Sequence, residues 1–379
     1  MSTLIVEVCS VVEVAEHPNA DRLERIRVKN WWCVSSKGHY KVGDKAVYLP
    51  PDSIIPEELA ERWGIAKYCS PLARTIDGQR PPGLRIRANR FRGEPSFGCL
   101  QDPDDPTWEV GKDVKEYYNV SKWEPPVKCL DGDAAPFVHA FHAYTDIENI
   151  CNFPDILKEG EEVVVTEKIH GTNSRVGYVY HADDETQGFA WQWMAGSHGT
   201  RRKEANDKGV KSKYWFPFSL GGFREPIKTI LQEVKETEKA STSVIIFGEI
   251  FGPGVQDMHY GQKGLSYRIF DIAVDGRYLD WDVMDSYVIG HQDWDVSLVP
   301  VLYRGPFSMK KMEELVDGPT TVVSIDQIKE NFKGREGIVI KPVAERHDYT
   351  LGNSGSRVAL KYVSVDYHDR NNPDRTEDH

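Results

Sequence analysis

No stretch of the chain approaches the roughly 18 consecutive apolar residues that a membrane helix requires, so no membrane partner is expected. The N-terminus, "MSTLIVEVCSVVEVAEHPNAD", has no basic segment ahead of its apolar run and turns acidic early, which reads against a signal peptide. Cysteine is scarce: six residues, Cys9, Cys33, Cys69, Cys99, Cys129 and Cys151. None forms a Cys-x-x-Cys pair, so neither a zinc ribbon nor a disulfide framework fits. Reduced thiols in a cytoplasmic or other reducing intracellular compartment are the simplest reading. Net positive charge is also missing. The balance is −12, so a nucleic acid would have to meet local basic patches. Two such patches exist. One is "LRIRANRFRG", with Arg85, Arg87, Arg90 and Arg92; the other is "GTRRKEANDKGVKSK", with Arg201, Arg202, Lys203, Lys208, Lys211 and Lys213. On charge alone the plainer reading of each is a solvated face.

What is present is ample apolar material. Of 379 residues, 40% are hydrophobic and 11% aromatic, enough for two or three domains with sizeable cores. Residues 1–120 alternate short apolar runs ("LIVEVCSVVEV", "LERIRV", "KAVYLP", "GLRIRANRF") with Gly, Pro, Asn and Asp turns. That is the texture of a small β-barrel. "HPNADRLERIRV" followed by "VGDKAVYLPPDSIIP" resembles the opening of OB-fold nucleic-acid-binding domains. The resemblance implies a face for single strands, with Arg85, Arg87, Arg90 and Arg92 and the neighbouring Phe91 as candidates; OB-like barrels also serve as spacers. Residues 121–136, turn-rich with a Pro-Pro, read as a linker.

Residues 137–379 are mixed. "EEVVVTEKI" and "SRVGYVYH" read as two strands joined by a turn, and "SVIIFGEIFG", "LSYRIFDIAV", "RYLDW", "REGIVIKP" and "RVALKYVS" as further strands. Asp275-Gly276 marks a hairpin. "FREPIKTILQEVKETEKA" predicts a helix, with Ile227, Ile230, Leu231 and Val234 at three- and four-residue spacing. "SMKKMEELVDG" predicts a shorter one. Strands and helices do not alternate regularly, so the pattern predicts an α+β domain on antiparallel sheets rather than a Rossmann or TIM layout. The polar tail "YHDRNNPDRTEDH" reads as frayed.

The chemistry centres on "VVVTEKIHGTN", residues 163–173, where an apolar strand delivers Lys168 to a turn. Lysine is a nucleophile only as the neutral amine, and free lysine titrates at about 10.4. A catalytic site must therefore lower that value by burial or a nearby cation. Gly171 removes side-chain bulk, and His170, Thr172 and Asn173 add polar groups. An ordinary surface hairpin with a charged tip reads the same stretch as well. Other apolar runs carry charge too: Glu249 in "IIFGEIFG", Glu336 and Lys341 in "GREGIVIK", Lys361 in "VALKYVS". Charge in such strands is costly unless it is paired or binds something. With Lys168 these residues suit a polyphosphate-and-metal site, carboxylates holding a divalent cation and lysines neutralising phosphate. Phe270 in "YRIFDIAV" is either a base-stacking ring or plain core.

Glu167-Lys168-Ile169-His170-Gly171-Thr172-Asn173 resembles motif I, K-x-[DH]-G, of the covalent nucleotidyltransferases, the superfamily of ATP-dependent ligases and RNA capping enzymes. The histidine followed by Thr-Asn is similar to the RNA ligase branch. In chain order "FGEIFG" resembles motif III, "YRIFDIAV" motif IIIa, "EGIVIK" motif IV and "ALKYVS" motif V. "MAGSHGTRRK" resembles motif Ia, with Ser197, His198 and Arg201 as candidates. The likeness spans residues 135–365. The short stretch after Lys361 is not expected to hold a C-terminal OB domain of the DNA ligase kind, and an OB-like domain precedes the catalytic one, as in one RNA ligase group. The motif V pattern K-x-K departs here: Lys361 has Ala359 before it and Val363 after it. A second phosphate contact would have to come from elsewhere, for example Lys341 or Arg357.

The resemblance implies an ATP-dependent RNA ligase acting on nicked or broken RNA ends with Mg²⁺ or Mn²⁺, expected to work as a monomer. It implies Lys168 as the nucleophile and Glu249 and Glu336 as metal ligands. Glu167 and Arg175 would fix the nucleoside sugar, Phe270 the adenine face, and Lys341 and Lys361 the α-phosphate. Ile169, Asn173 and Glu249 would line the nucleotide site, with His170 orienting nucleotide or nucleic acid. A DNA ligase or capping relative, and an RNA-binding protein with a decayed catalytic domain, are the alternatives.

Overall fold

The computed structural model of the protein describes residues 3–73, 79–124, 132–183, 188–237, 242–289, 297–351, 356–369 and 376–377. The chain divides into two compact units: Met1–Val127 with Glu148–Asp155 and His368–His379, and Lys128–Ile147 with Ile156–Tyr367. Each is described by itself. Part of the stretch read as a linker, residues 125–131 with Cys129, lies outside the described residues.

The first unit is all-β at its centre. A five-stranded antiparallel sheet runs in the order Cys99–Gln101, Lys45–Leu49, Glu7–Glu16, Leu23–Val28, Trp31–Ser36. The first of these strands in the chain serves both neighbours. Its early residues pair with Lys45–Leu49 (Val8 opposite Val47) and its later ones with Leu23–Val28 (Val14 opposite Ile26). A register shift between Val11 and Glu13 separates the two pairings; such bulges bend a strand and let a sheet curl toward closure. Val6, Val8, Val47, Leu49, Ile55 and Ile86 fill the interior with Trp108 and Tyr118. Arg92 and Gly93, at φ +48° and +89°, turn the hairpin Ala88–Phe91 into Glu94–Phe97.

The second unit holds two antiparallel sheets. In the larger, Arg201–Arg202, Gly188–Ser197, Thr172–Asp183, Ser243–Phe251, Ser266–Val274 and Arg277–Tyr278 lie side by side in that order, and Ser297–Leu298 pairs in parallel with Ser266–Val274. Ser243–Phe251 is central, and its run of apolar residues is buried on both faces. On one face Val244, Ile246 and Ile250 meet Ile227, Ile230 and Leu231 of the helix Arg224–Thr237 and Met284 of the helix Trp281–Ile289. On the other, Ile245 and Phe247 meet Phe141 and Tyr144. The side chain of Val234 lies outside the described residues. The smaller sheet runs Leu360–Val363, Gly337–Pro342, Glu162–Glu167, Val301–Pro306. Ser308 caps the helix Met309–Val316 by accepting from the Lys311 amide at 3.2 Å. Among the described residues no helix is long and apolar enough to cross a membrane.

Four local expectations change. "EEVVVTEKI" and "SRVGYVYH" are strands, but not a hairpin: the first belongs to the smaller sheet and the second to the larger. "RYLDW" is a strand only over Arg277–Tyr278; Trp281 opens a helix whose buried Trp281, Met284 and Val288 stand at helical spacing. Gly188–Ser197 and Val301–Pro306 are strands beyond those expected, the latter an edge strand with little burial to pattern it. Finally, the tail begins in order, because Tyr367 sits in the short helix Val365–Asp369.

Candidate active site

Lys168 is delivered by a strand with almost no freedom. Val163, Val164 and Val165 are fully buried, and the strand is flanked by Gly337–Pro342 on one side and Val301–Pro306 on the other. At its end the Glu167 amide donates to Pro300 O and the Lys168 amide to Gly337 O, both at 2.9 Å. The chain then crosses to the larger sheet. The His170 amide donates to the Tyr260 hydroxyl at 2.7 Å, and Thr172 enters opposite Ile250. Gly171 is required by that crossing. A Cβ there would stand 2.2 Å from Ile250 O and 2.9 Å from Glu249 Cγ. Its bareness admits the neighbouring strand, not a ligand as its sequence context suggested.

Two carboxylates meet this turn. Lys168 Nζ lies 2.5 Å from Glu336 Oε1. Glu336 precedes Gly337, whose φ of +149° and close approach to Tyr362 O exclude a side chain. Its second oxygen, Oε2, is buried and accepts no hydrogen bond, with His170 Nδ1 3.7 Å away. Burial alone would raise the Glu336 carboxyl, but Lys168 and His170 hold it below the usual range. Glu249 comes from the other sheet, paired with Asn173 and Arg268. It keeps some exposed surface, yet protein packs closely around it. That desolvation pushes its carboxyl up to about 8, against the pull of Lys168 and with the push of Glu336.

Arg175 lies two residues beyond Asn173 on the same face. It is fully buried, donates from Nη1 to Phe141 O at 2.8 Å, and rests over the Phe141 ring at 4.6 Å. Its Nε has no partner, nor has Asn173 Oδ1, and burial lowers its guanidinium to about 10. No carboxylate among the described residues forms an ion pair with it. Phe270 is half-buried, edge-on to Tyr144 at 4.8 Å. Lys361 pairs with Val339 in the register that places Thr166 opposite the same residue, so these three share one face of the smaller sheet. Among the described residues no three His, Cys, Asp or Glu side chains converge as a ready metal cage. A divalent cation at Glu249 and Glu336 would complete its coordination from water and phosphate.

Several expected roles are corrected. Glu167 is not turned toward a sugar: its carboxylate accepts from the Thr320 hydroxyl and from the Thr321 amide (2.6 Å) and hydroxyl (2.7 Å). Ile169 is core, packed with Phe251, Met258, Tyr260, Val299 and Val322. Lys341 is not poised on a phosphate. Its Nζ donates to Asp271 Oδ1 at 2.6 Å and Phe270 O at 2.9 Å, in full burial. Arg357 is committed likewise, to Asp271, Glu345 and the Tyr144 hydroxyl. Neither can supply the second motif V contact. His170 is held by Asp257 (Nε2, 2.7 Å) and the Tyr367 hydroxyl (Nδ1, 2.9 Å). Asp257, Tyr260, Asp271 and Tyr367 were not foreseen. Asp271 had a signal, a lone acid in the apolar run "IFDIAV", of the kind that pointed to Glu249.

The basic candidates are mostly engaged. Arg85 donates to Asp52 Oδ1 from Nε at 2.8 Å and Nη2 at 2.5 Å, its guanidinium 3.4 Å from the Trp123 ring centre, so it fastens its own domain. Arg90 donates to Gly93 O at 2.9 Å across its hairpin. Arg87 lines a groove of about 340 Å³ with Tyr40, Trp63, Tyr68 and Phe91. His198 lies 3.4 Å from Asp146, and burial lowers its pKa. Arg201 is half-buried, 3.4 Å from Pro136 O. Arg202, beside it, pairs with Asp133 at 2.5 Å.

A lysine at a strand end, two carboxylates from two antiparallel sheets and an OB-like domain ahead of them define a covalent nucleotidyltransferase arrangement. The RNA ligase family profile matches residues 161–363, and an OB-fold domain profile matches residues 5–103. The chain belongs to the RNA ligase family. Solved structures of a Naegleria gruberi RNA ligase are similar over the whole chain. A mutant with ATP and manganese is 25% identical at TM-score 0.69, covering 97% of this chain and 99% of that one. An apo mutant is 24% identical at TM-score 0.71, covering 97% and 98%. The form with pyrophosphate is 24% identical at TM-score 0.68, covering 97% and 99%. No curated protein sequence matches the chain.

Proposed function

We propose that this RNA ligase seals nicked or broken RNA at the cost of ATP, through an AMP carried on Lys168. The supporting observation is the placement of the Lys168 amine 2.5 Å from Glu336 and in the field of Glu249, at the end of a buried strand. The Naegleria ligase was solved with ATP or AMP and manganese, which supports the same nucleotide and a Mn²⁺ or Mg²⁺ ion here. Glu336 Oε2, buried and without a partner, suits such an ion together with Glu249. When bound it would neutralise charge on the α-phosphate.

In the first step the Lys168 nitrogen bonds to the α-phosphorus of ATP, the bond to the bridging oxygen breaks, and pyrophosphate leaves. In the second, the RNA 5′-phosphate displaces lysine and takes AMP. In the third, a 3′-hydroxyl attacks that activated phosphate, its proton departs and AMP leaves. Each is an in-line displacement, so the protein contributes position and charge. Arg175, a buried cation without a counter-ion, suits the polar face of the nucleotide, Phe270 suits a base, and Lys361 the α-phosphate. The groups named for nucleotide transfer all come from one chain, as a monomer would need. Arg87 and Arg92 are the candidates left for RNA on the N-terminal unit.

Intact mass tests this reading. Incubation with ATP and Mn²⁺ or Mg²⁺ should add one AMP, removed by pyrophosphate and absent from Lys168→Ala. A wild-type protein that never carries the adduct, before or after incubation, overturns it.

A further inference from the structure

We propose that Tyr367 is a positioning residue for adenylylation: its hydroxyl sets the hydrogen-bonding role of the His170 ring and so keeps the second oxygen of Glu336 clear for the divalent cation. This rests on the reading of Glu336 as a metal ligand. Tyr367 lies beyond the family match at residues 161–363, in the short helix after motif V. Ser364 anchors that helix, accepting from the Tyr367 amide at 3.1 Å and donating to Asp317 at 2.5 Å. The Tyr367 ring meets Phe332 and His170 edge-on, at 6.4 and 5.3 Å.

The argument is one of donors and acceptors. His170 Nε2 faces Asp257 Oδ1 at 2.7 Å. An ionised carboxylate only accepts, so Nε2 carries the hydrogen, and in the neutral ring Nδ1 is then an acceptor. The Tyr367 hydroxyl, 2.9 Å away, donates to it. Glu336 Oε2 stands 3.7 Å from that same Nδ1 and accepts nothing. While Tyr367 donates, the imidazole has no hydrogen to offer Glu336: Lys168 holds Oε1 and Oε2 stays open. Without the hydroxyl, a hydrogen on Nδ1 becomes the better arrangement. The ring then ties to Glu336, and the cation must compete with it. Partners one step behind a metal ligand change metal affinity by about 10- to 100-fold.

The test pairs two measurements on wild-type protein and Tyr367→Phe, which keeps the ring packing. Histidine ¹⁵N NMR of the metal-free protein should show wild-type His170 with Nε2 protonated and Nδ1 bare, and a proton on Nδ1 in the variant. The Mn²⁺ concentration giving half-maximal adenylylation should rise about tenfold in the variant, with the rate at saturating Mn²⁺ recovered. A proton on wild-type Nδ1, an unchanged metal dependence, or a rate lowered equally at every Mn²⁺ concentration overturns the proposal. Should Tyr367→Phe not fold, the wild-type spectrum decides. Failure of the wild type to form any adduct would instead strike the proposed function, with the ring still readable by NMR.

Discussion

Gly171→Ala is the sharpest probe of how the two sheets place Lys168. The added Cβ would stand 2.2 Å from Ile250 O and 2.9 Å from Glu249 Cγ, where ordinary contact begins near 3.4 Å. Ile250 belongs to the ladder with Thr172, so its carbonyl cannot yield cheaply. The turn must withdraw instead, by about an ångström, on the scale at which misplaced reacting groups lose about 100-fold in rate. Overpacking of this sort costs about 1–3 kcal/mol. Urea unfolding should show that loss, and a time course of AMP addition followed by intact mass should show the slower reaction. Gly264→Ala is the control: its Cβ would meet nothing within 4 Å, and its stability should stay within about 0.5 kcal/mol of wild type. If Gly171→Ala matched Gly264→Ala in both assays, the crossing would not be what positions the lysine.

Glu249→Gln should abolish AMP addition yet stabilise the metal-free protein at alkaline pH. Because the folded Glu249 carboxyl titrates at about 8, above its unfolded value, the folded state keeps a proton that the unfolded chain releases. Stability therefore falls as pH rises across that window. Melting temperatures in chelator at about pH 5 and pH 9 should drop more for wild type than for the variant; parallel drops would refute the assignment. Asp271→Asn should cost about 3–5 kcal/mol in urea unfolding, because it strands buried Lys341 and Arg357. A loss below 1 kcal/mol, roughly that of an exposed pair, would be the contrary result. Arg85→Ala should lower stability by about 1 kcal/mol and leave the salt dependence of RNA binding unchanged, whereas an RNA contact would reduce the slope.

The strands most legible in the sequence were those with unbroken apolar runs: Glu162–Glu167, Ser243–Phe251, Ser266–Val274 and Gly337–Pro342 are buried on both faces and bounded by turns. Lys168, Glu249 and Glu336 stood out there by the charge they bring into such runs. Val301–Pro306 stayed hidden because it is an edge strand with no buried face to impose a pattern. Which sheet a strand joins was equally hidden: Ile169-His170-Gly171 looks like a hairpin turn in isolation, and only the carbonyl of Ile250, distant in sequence, makes it a crossing. The partners of His170 come from positions 257 and 367, and no local spacing links them.

Charge in an apolar strand therefore signals two things that only structure separates. Asp271 meets Lys341 and Arg357, and Glu167 meets the Thr320 and Thr321 hydroxyls and an amide. These sets close on themselves, and a closed set is architecture. Glu249, the second oxygen of Glu336 and the Nε of Arg175 do not close. Two acids and one cation are left in a desolvated cleft with fewer partners than their chemistry accepts. Leaving them so costs folding stability, which is tolerable where a ligand supplies the missing partners: a cation for the acids, a polar or anionic nucleotide surface for the arginine. The unbalanced residues, rather than all the charged ones, mark the site, and that is why Lys341 and Glu167 were read into it wrongly while Glu249, Glu336 and Arg175 were not.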